Sequence, residues 1–172
     1  MKELGILVFG YRRPGRLRNV LESLRRQNAL DVTHVWIDGY SHTREVKAAV
    51  ENVRALANQY AVAQWVNCNG HLGIEKLMLD GLTEMVRRYR DILVLEDDCF
   101  PTADAVEVFR AELDIIRHDP TVYSVYGHHF LMDGESETFP RFQGWGWATT
   151  REKLVPVLAQ LKSMFMMTEP DY

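Results

Sequence analysis

The chain has little cysteine and no surplus of positive charge, and both shortages exclude classes of function. Cys68 and Cys99 are the 2 cysteines among 172 residues. They are too few for a disulfide framework and fit a reducing compartment. The formal net charge is −4, so the sequence offers no basic surface for DNA or RNA. An anionic ligand would need a local solution, such as a metal ion or a helix N-terminus.

The sequence also lacks a long apolar run, an internal repeat and a low-complexity tract. The apolar stretch in MKELGILVFGYRRPG covers about six residues, which is too short for a secretory signal or a membrane span. We therefore expect a cytoplasmic protein without a transmembrane segment, with peripheral attachment to the inner membrane as an open alternative. The length and the 47% hydrophobic content fit a single globular domain.

Strand and helix patterns alternate along the chain. Apolar runs predict five strands, at residues 4–9, 33–39, 60–66, 91–98 and 121–127. Helical spacing and capping residues predict helices that begin near Pro14, Ser41 and Thr149 and that span residues 74–89 and 102–117. Residues 127–148 resemble a loop, and Pro156 is expected to interrupt or kink the last helix. This alternation predicts an α/β fold with a mostly parallel sheet flanked by helices.

Polar residues follow the predicted strands. Ligands of parallel α/β sheets bind beyond the carboxyl ends of the strands, so these residues are the first candidates for a site. They are Tyr11, Arg12 and Arg13; Asp38; residues 67–73; Glu96, Asp97 and Asp98; and His128 and His129.

The segment ILVLEDDCFP, residues 92–101, places three carboxylates at the end of an apolar strand. Carboxylates this close raise each other's pKa or attract a cation. A hard divalent ion such as Mg²⁺ or Mn²⁺ prefers oxygen ligands and completes its shell with phosphate and water. The alternative is structural, because the same acids would also stabilise the N-terminus of the following helix.

Four segments stand in an order that is typical of one enzyme class. They are ILVFGYRRPGRLRNVLESL, THVWIDGYSH, ILVLEDDCFPTADAVEVFRAELDIIRHDPTVYSVYG and GWGWATTREKL. Together they resemble the GT-A glycosyltransferases, in which Glu-Asp-Asp is a variant of the metal-binding Asp-x-Asp motif. The resemblance is closest to the N-acetylglucosaminyltransferase family that starts complex N-glycan branching and to bacterial glycosyltransferases with a similar core.

The resemblance implies a role for each matching residue. Asp98 would coordinate the metal, Mn²⁺ or Mg²⁺, while Glu96 and Asp97 would contact sugar or ribose hydroxyls or hold water. Asp38 would accept a hydrogen bond from N3–H of uracil. The nucleotide pocket would be lined by Gly10, Tyr11 and Arg12.

The implied reaction moves a sugar from a nucleotide-diphosphate donor, a UDP-sugar, to an acceptor hydroxyl with inversion of the anomeric centre. The acceptor would be a glycan, a lipid-linked molecule or a protein, and the oligomeric state is open. Within a single GT-A-like domain, residues 1–126 would form the nucleotide-sugar-binding half and residues 127–172 a partial acceptor half.

The general base is the point at which the sequence departs from the family. The family places this carboxylate about two dozen residues after the Gly-Trp segment, and the sequence there reads MMTEPDY. Either Asp171 or Glu169 is the base, or the base lies beyond residue 172; we favour truncation. We therefore expect a chain that binds donor and transfers sugar poorly.

Other residues have structural and functional interpretations of similar weight. Trp145 and Trp147 would stack on a sugar or pack in the core, and Arg12 and Arg13 would grip a diphosphate or lie in a solvated turn. NGHLGIEK, residues 69–76, has too few glycines for a P-loop or dinucleotide fingerprint and would form a pocket wall. Two alternative functions stay open: a nucleotidyltransferase, and a nucleotide-sugar-binding domain without catalysis.

Overall fold

The computed structural model describes residues 2–40, 43–128 and 140–165, and there it confirms the mostly parallel α/β sheet. Its six strands stand in the order β3-β2-β1-β4-β6-β5. Strands β1 to β4 are parallel, and β6 and β5 continue the sheet with antiparallel pairing. The bounds are β1 Lys2–Gly10, β2 Thr33–Ile37, β3 Gln64–Asn67, β4 Tyr89–Glu96, β5 Val125–Tyr126 and β6 Trp147–Thr150.

Helices cover both faces of this sheet. Their bounds are α1 Pro14–Arg26, α2 Arg44–Arg54, α3 Ile74–Arg88, α4 Ala105–Arg117 and α5 Arg151–Phe165. Successive side chains of a strand point to opposite faces, so Ile6 and Val8 of β1 pack into one core with α1, α2 and α4. Leu7 and Phe9 pack into the other core with α3 and α5. The result is a three-layer arrangement with the sheet in the middle.

Four elements differ from the sequence prediction. Strand β3 starts only at Gln64, and β5 is reduced to Val125–Tyr126. Strand β6 lies partly inside the stretch predicted to be a loop, and its Thr149 hydroxyl donates to the Tyr123 carbonyl oxygen at 2.6 Å, so it does not cap a helix. Helix α5 continues past Pro156 without ending.

The order in which strands are added to the sheet reverses between β1 and β4. It passes from β1 outward to β2 and β3 and then returns to the other side of β1, where β4 pairs with it in parallel. Phe9 faces Glu96 in this register. A switch point of this kind leaves a crevice beyond the carboxyl ends of the strands, so Gly10 and Glu96 lie beside the place where a ligand is expected.

Within the described part of the chain, no helix combines the length and the apolarity that crossing a membrane requires.

Candidate functional site

Two cavities meet at the carboxyl end of β4. The smaller cavity, of about 330 Å³, lies between the ends of β1 and β2 and the start of α3. The larger cavity, of about 550 Å³, lies between the end of β4, α4 and the start of β6. Glu96 lines both of them.

Most of the residues singled out in the sequence border one of these cavities. Asp98 and Trp145 line the larger cavity. Arg12 lines neither and instead places its guanidinium over the Tyr11 ring, 5.7 Å from the centroid. Asp171 and Glu169 lie outside the described residues, as does His129. The smaller cavity is bordered by Gly10, Tyr11, Asp38, Glu96 and Asp97.

The acidic turn follows directly from a fully buried strand. Residues 92–95 of β4 are core side chains, and the strand ends at Glu96 where the sheet reaches the crevice. The Cys99 N–H donates to the Glu96 carbonyl oxygen at 3.0 Å and closes the turn. The three consecutive carboxylates therefore leave the strand in different directions and meet different partners.

Asp97 is a buried carboxylate with a bidentate partner. The residue is 2% exposed. Arg13, at the N-terminal boundary of α1, donates from Nε to Oδ2 at 3.2 Å and from Nη2 to Oδ1. Burial raises the pKa of the Asp97 carboxyl, and the hydrogen bonds from Arg13 oppose that rise. The same contacts raise the pKa of Arg13 above its ordinary value. The geometry assigns Asp97 mainly to fixing Arg13 against the end of β4.

Asp98 is more accessible than Asp97, and one of its carboxylate oxygens contacts two arginine guanidinium groups. Its side chain is 37% exposed, and Oδ2 lies 3.0 Å from Arg13 Nη1 and 3.3 Å from Arg16 Nη1. No local sequence pattern indicates that Arg16 would reach the turn, because Arg16 and Asp98 are 82 positions apart.

Glu96 occupies the boundary between the two cavities. Burial, together with the charges of Asp98 and Asp97, raises the pKa of its carboxyl, while Arg13 lowers it. A carboxyl group in this position borders the space on both sides.

Asp38 holds the loop that precedes α3. Its Oδ1 accepts the Gly39 and Leu72 N–H groups, each at 2.8 Å, and its Oδ2 accepts the Gly73 N–H at 3.2 Å. His71 Nδ1 lies 2.7 Å from Oδ2, and the imidazole side chain is 44% exposed. A carboxylate has about four lone-pair sites, so the loop uses the capacity of Asp38, and a ligand would have to displace one of these partners.

The loop also forms an aromatic wall of the smaller cavity. The His71 ring stacks on Tyr11 with centroids 5.2 Å apart and an interplanar angle of 24°. The close contact between the backbones at Gly39 and Gly70 depends on glycine, because a Cβ on Gly39 would lie 2.1 Å from the Gly70 carbonyl oxygen. Gly73 has φ +79 at the start of α3, a conformation that favours glycine. His71 is a site residue that the sequence indicated only as part of a polar segment.

The larger cavity combines apolar walls with polar groups at its rim. Phe109 of α4 and Leu95 of β4 line it, with Glu96 and Asp98 at one side. The Trp145 ring is exposed and lies 5.9 Å from the His128 ring in an edge arrangement. Trp147 is buried, so the sugar-stacking role considered for it is wrong.

The acidic turn offers carboxylate oxygens, but no complete coordination shell for a hard cation, within the described residues. Among residues 2–40, 43–128 and 140–165, no three His, Cys, Asp or Glu side chains form a ready-made metal centre. Asp98 offers an accessible oxygen ligand beside Glu96, which fits an ion that takes its remaining ligands from phosphate and water.

Comparisons with known proteins agree on the fold. No family model matches the chain, and no curated protein sequence matches it either. A mannosyltransferase from Pyrobaculum calidifontis, solved with GDP-Man and Mn2+, superposes with TM-score 0.57 at 18% identity. The match covers 90% of this chain and 46% of that protein, so the chain spans about half of its length.

Two further structures lead to the same fold. A 4-diphosphocytidyl-2C-methyl-D-erythritol synthase from Anaerococcus prevotii superposes with TM-score 0.60 at 12% identity, covering 98% of this chain and 78% of that one. A protein of Desulfovibrio desulfuricans provisionally assigned as a nucleotide-diphospho-sugar transferase gives TM-score 0.52 at 13% identity, covering 91% and 67%. The chain therefore has the fold of nucleotide-diphospho-sugar transferases, and these matches do not single out the N-acetylglucosaminyltransferase family.

Proposed function

We propose that the chain is a metal-dependent glycosyltransferase that moves a sugar from a UDP-sugar to an acceptor hydroxyl with inversion. The observation that carries this proposal is the meeting of two cavities at Glu96, with Asp98 beside it, at the switch point of this fold. A nucleotide in one cavity and a sugar in the other would bring the diphosphate between them to the acidic turn.

The smaller cavity suits the nucleoside. Tyr11 and His71 offer aromatic surface, and the backbone of Gly10 ends the strand beneath it. In the proposed complex Asp38 accepts N3–H of uracil. His71 is then the partner that leaves Asp38, because its ring is exposed while the other three donors are backbone groups of the loop.

The larger cavity suits the sugar and the acceptor. Apolar side chains and the exposed Trp145 ring can face the less polar surface of a sugar, and Glu96 can accept its hydroxyl groups. Asp98 would hold Mn²⁺ or Mg²⁺ at the diphosphate, where the ion acts as a Lewis acid and neutralises charge on the leaving group. Arg13 already points a guanidinium N–H towards that position.

The general base is proposed from the sequence alone. Either Asp171 or Glu169 would remove the acceptor proton, a contribution of about 10²–10⁴ in rate. Substituting each with its amide, Asp171→Asn and Glu169→Gln, tests this directly. The base variant should lose turnover and keep donor affinity, whereas unchanged turnover in both variants would place the base elsewhere.

Acceptor and location extend the proposal. A glycan, a lipid-linked molecule or a protein would present the accepting hydroxyl, with no role for nucleic acid. Both cysteines are free thiols, which supports the cytoplasm, at or near the inner membrane, as the place of action.

A nucleotidyltransferase is the second candidate, because the synthase of a diphosphocytidyl compound superposes as well as the mannosyltransferase does. The Arg-Pro turn after β1, FGYRRPGRL, lacks the glycine-rich signature that we expect of that class. The products separate the candidates: sugar transfer releases a nucleoside diphosphate, nucleotidyl transfer releases inorganic diphosphate, and a binding domain releases neither.

The deciding experiment assays these products with and without Mn²⁺. UDP-, GDP- and CDP-sugars are offered with simple sugar acceptors, and nucleoside triphosphates with sugar phosphates in parallel. We expect metal-dependent release of UDP, lost in Asp98→Asn and kept in Asp104→Asn, a matched change on an exposed acid that lines neither cavity. Release of inorganic diphosphate instead would favour nucleotidyl transfer.

A further inference from the structure

We propose that Arg13 and Arg16 occupy Asp98 when no donor is bound and transfer to the donor's diphosphate when a divalent cation takes Asp98. The inference rests on the proposed function, because it needs a diphosphate and a cation at one site. It explains how a metal ligand can be preserved next to two positively charged side chains. Its consequence is that cation and nucleotide bind with positive coupling.

The first step is competition for one atom. Arg13 Nη1 and Arg16 Nη1 both contact Asp98 Oδ2, at 3.0 Å and 3.3 Å. A cation that approaches this oxygen alone meets two guanidinium groups at close range, and like charges at such distances oppose binding. Asp98 therefore presents a weak site to a free cation.

The two arginines differ in their freedom to move. Arg13 is tied by Nε and Nη2 to the buried Asp97, so only its Nη1 end is available for exchange. Arg16 lies one helical turn further along α1, its side chain is 52% exposed, and its ion pair is with Asp98. Arg16 is therefore the mobile cation and Arg13 the anchored one.

The ion pair lies where a diphosphate would pass. Arg13 lines the smaller cavity and Asp98 lines the larger one, so the Arg13–Asp98 contact spans their boundary. A diphosphate there offers the guanidinium groups charge-assisted acceptors that replace Asp98. Asp98 is then released to the cation, and by linkage each ligand strengthens the binding of the other by the same factor.

The variant Arg16→Gln distinguishes the proposed exchange of arginines from a metal ion that simply bridges Asp98 and the diphosphate. Without the mobile guanidinium, Mn²⁺ alone should bind more tightly, by a factor of about 2–5, as expected for loss of an exposed ion pair. UDP in saturating Mn²⁺ should bind more weakly, by a factor of about 5–10, because a charge-assisted contact is lost. Opposite signs for the two ligands are the expected signature.

Two matched variants complete the design. Arg18→Gln removes the same charge from an exposed position on α1. The ion pairs of Asp98 with described residues are those with Arg13 and Arg16, so this variant should behave like the wild type for both ligands. Arg16→Lys keeps a positive charge and should hold the Mn²⁺ affinity near the wild-type value. Free Mn²⁺ is measured by electron paramagnetic resonance and UDP binding by calorimetry, so no readout depends on turnover.

The possible results are distinct. The inference is overturned if Arg16→Gln leaves the Mn²⁺ affinity unchanged or weakens the binding of both ligands. The proposed function still stands in that case if the wild type binds UDP only in the presence of the metal. Equal effects of Arg18→Gln and Arg16→Gln on the two affinities would show that only the net charge matters, and this result would also overturn the inference. A wild type that binds Mn²⁺ but none of UDP, GDP and CDP overturns the proposed function, and the inference with it.

Discussion

Three neighbouring carboxylates at the end of β4 have three different environments, and the repulsion between them is resolved separately for each. Asp97 is buried against Arg13, Asp98 faces outward between two arginines, and Glu96 lies between two cavities with a raised pKa. Substitutions that change only one carboxylate should therefore give three different results.

Asp97→Ala should destabilise the fold. The change leaves Arg13 without its bidentate carboxylate and weakens the contact between α1 and the acidic turn. We expect a loss of about 1–3 kcal/mol in the free energy of unfolding, less than for a fully buried pair because the Arg13 side chain is 42% exposed. Urea denaturation measures this, and a loss no larger than that of Asp98→Asn would contradict the assignment.

Asp98→Asn should leave stability nearly unchanged and remove metal-dependent nucleotide binding. Its ion pairs are exposed, and such pairs contribute about 0–1 kcal/mol. The carboxylate is also the proposed ligand of the cation. Calorimetry with UDP and Mn²⁺ tests the binding, and a large fall in the melting temperature of the metal-free protein would favour a structural role.

Glu96→Gln should stabilise the ligand-free protein at neutral pH. The folded state raises the pKa of Glu96 above its ordinary 4.5, so the group favours folding in its protonated form. That contribution is present below 4.5 and is lost as pH rises through the folded pKa. The variant should therefore melt higher than the wild type at pH 7 and equally at pH 4, and a gain that is the same at both values would exclude ionisation as the cause.

At the scale of elements, the central strands were predictable, whereas the bounds of β3 and β5 and the existence of β6 were not. Residues 92–95 form a buried apolar run whose length and position identify β4. Strand β6 is short and consists of Trp147–Thr150. It pairs antiparallel with β4, and this pairing is decided by tertiary contacts that a local sequence pattern does not contain. Strand β5 depends on β6 in the same way.

The candidate site was predictable to the same degree. The position of Asp38 after β2 marked it as a site residue, since strand ends converge. Three of its four partners come from residues 71–73, more than 30 positions away. Only the folded chain shows that these three, together with the Gly39 N–H, use all of its acceptor sites. Arg16 reaches Asp98 over a gap of 82 positions, so its pairing had no local signal.

Gly39→Ala should disturb the loop that precedes α3. The added Cβ would meet the Gly70 carbonyl oxygen at 2.1 Å, and because that atom belongs to the backbone no side-chain rotation relieves the contact. We expect a lower free energy of unfolding and weaker UDP binding. The Kd of UDP should rise about tenfold for each 1.4 kcal/mol of binding free energy that is lost when the loop is displaced. The matched control is Gly15→Ala in α1, where nothing lies within 4 Å of the new Cβ and helix propensity improves.

At the scale of the whole molecule, the chain brings distant segments to one edge of the sheet. The smaller cavity takes its walls from the ends of β1, β2 and β4 and from the loop before α3. The larger cavity takes its walls from β4, α4 and the Gly-Trp segment next to β6. A ligand that spans both cavities would connect segments from both the proposed nucleotide-binding half and the proposed acceptor half. Binding should therefore stabilise the entire fold.

UDP with Mn²⁺ should raise the melting temperature of the whole chain in a single transition. At a free ligand concentration of 100 times Kd the gain is about 2.7 kcal/mol, which for a chain of this size corresponds to a shift of about 5–10 °C. Chelation of the metal with EDTA should abolish the shift, because in the proposed complex the cation holds the diphosphate to Asp98. Uridine, which lacks the diphosphate, should give a small shift that EDTA leaves unchanged. An equal shift by UDP in EDTA would show that the nucleotide binds without the metal and that Asp98 has another role.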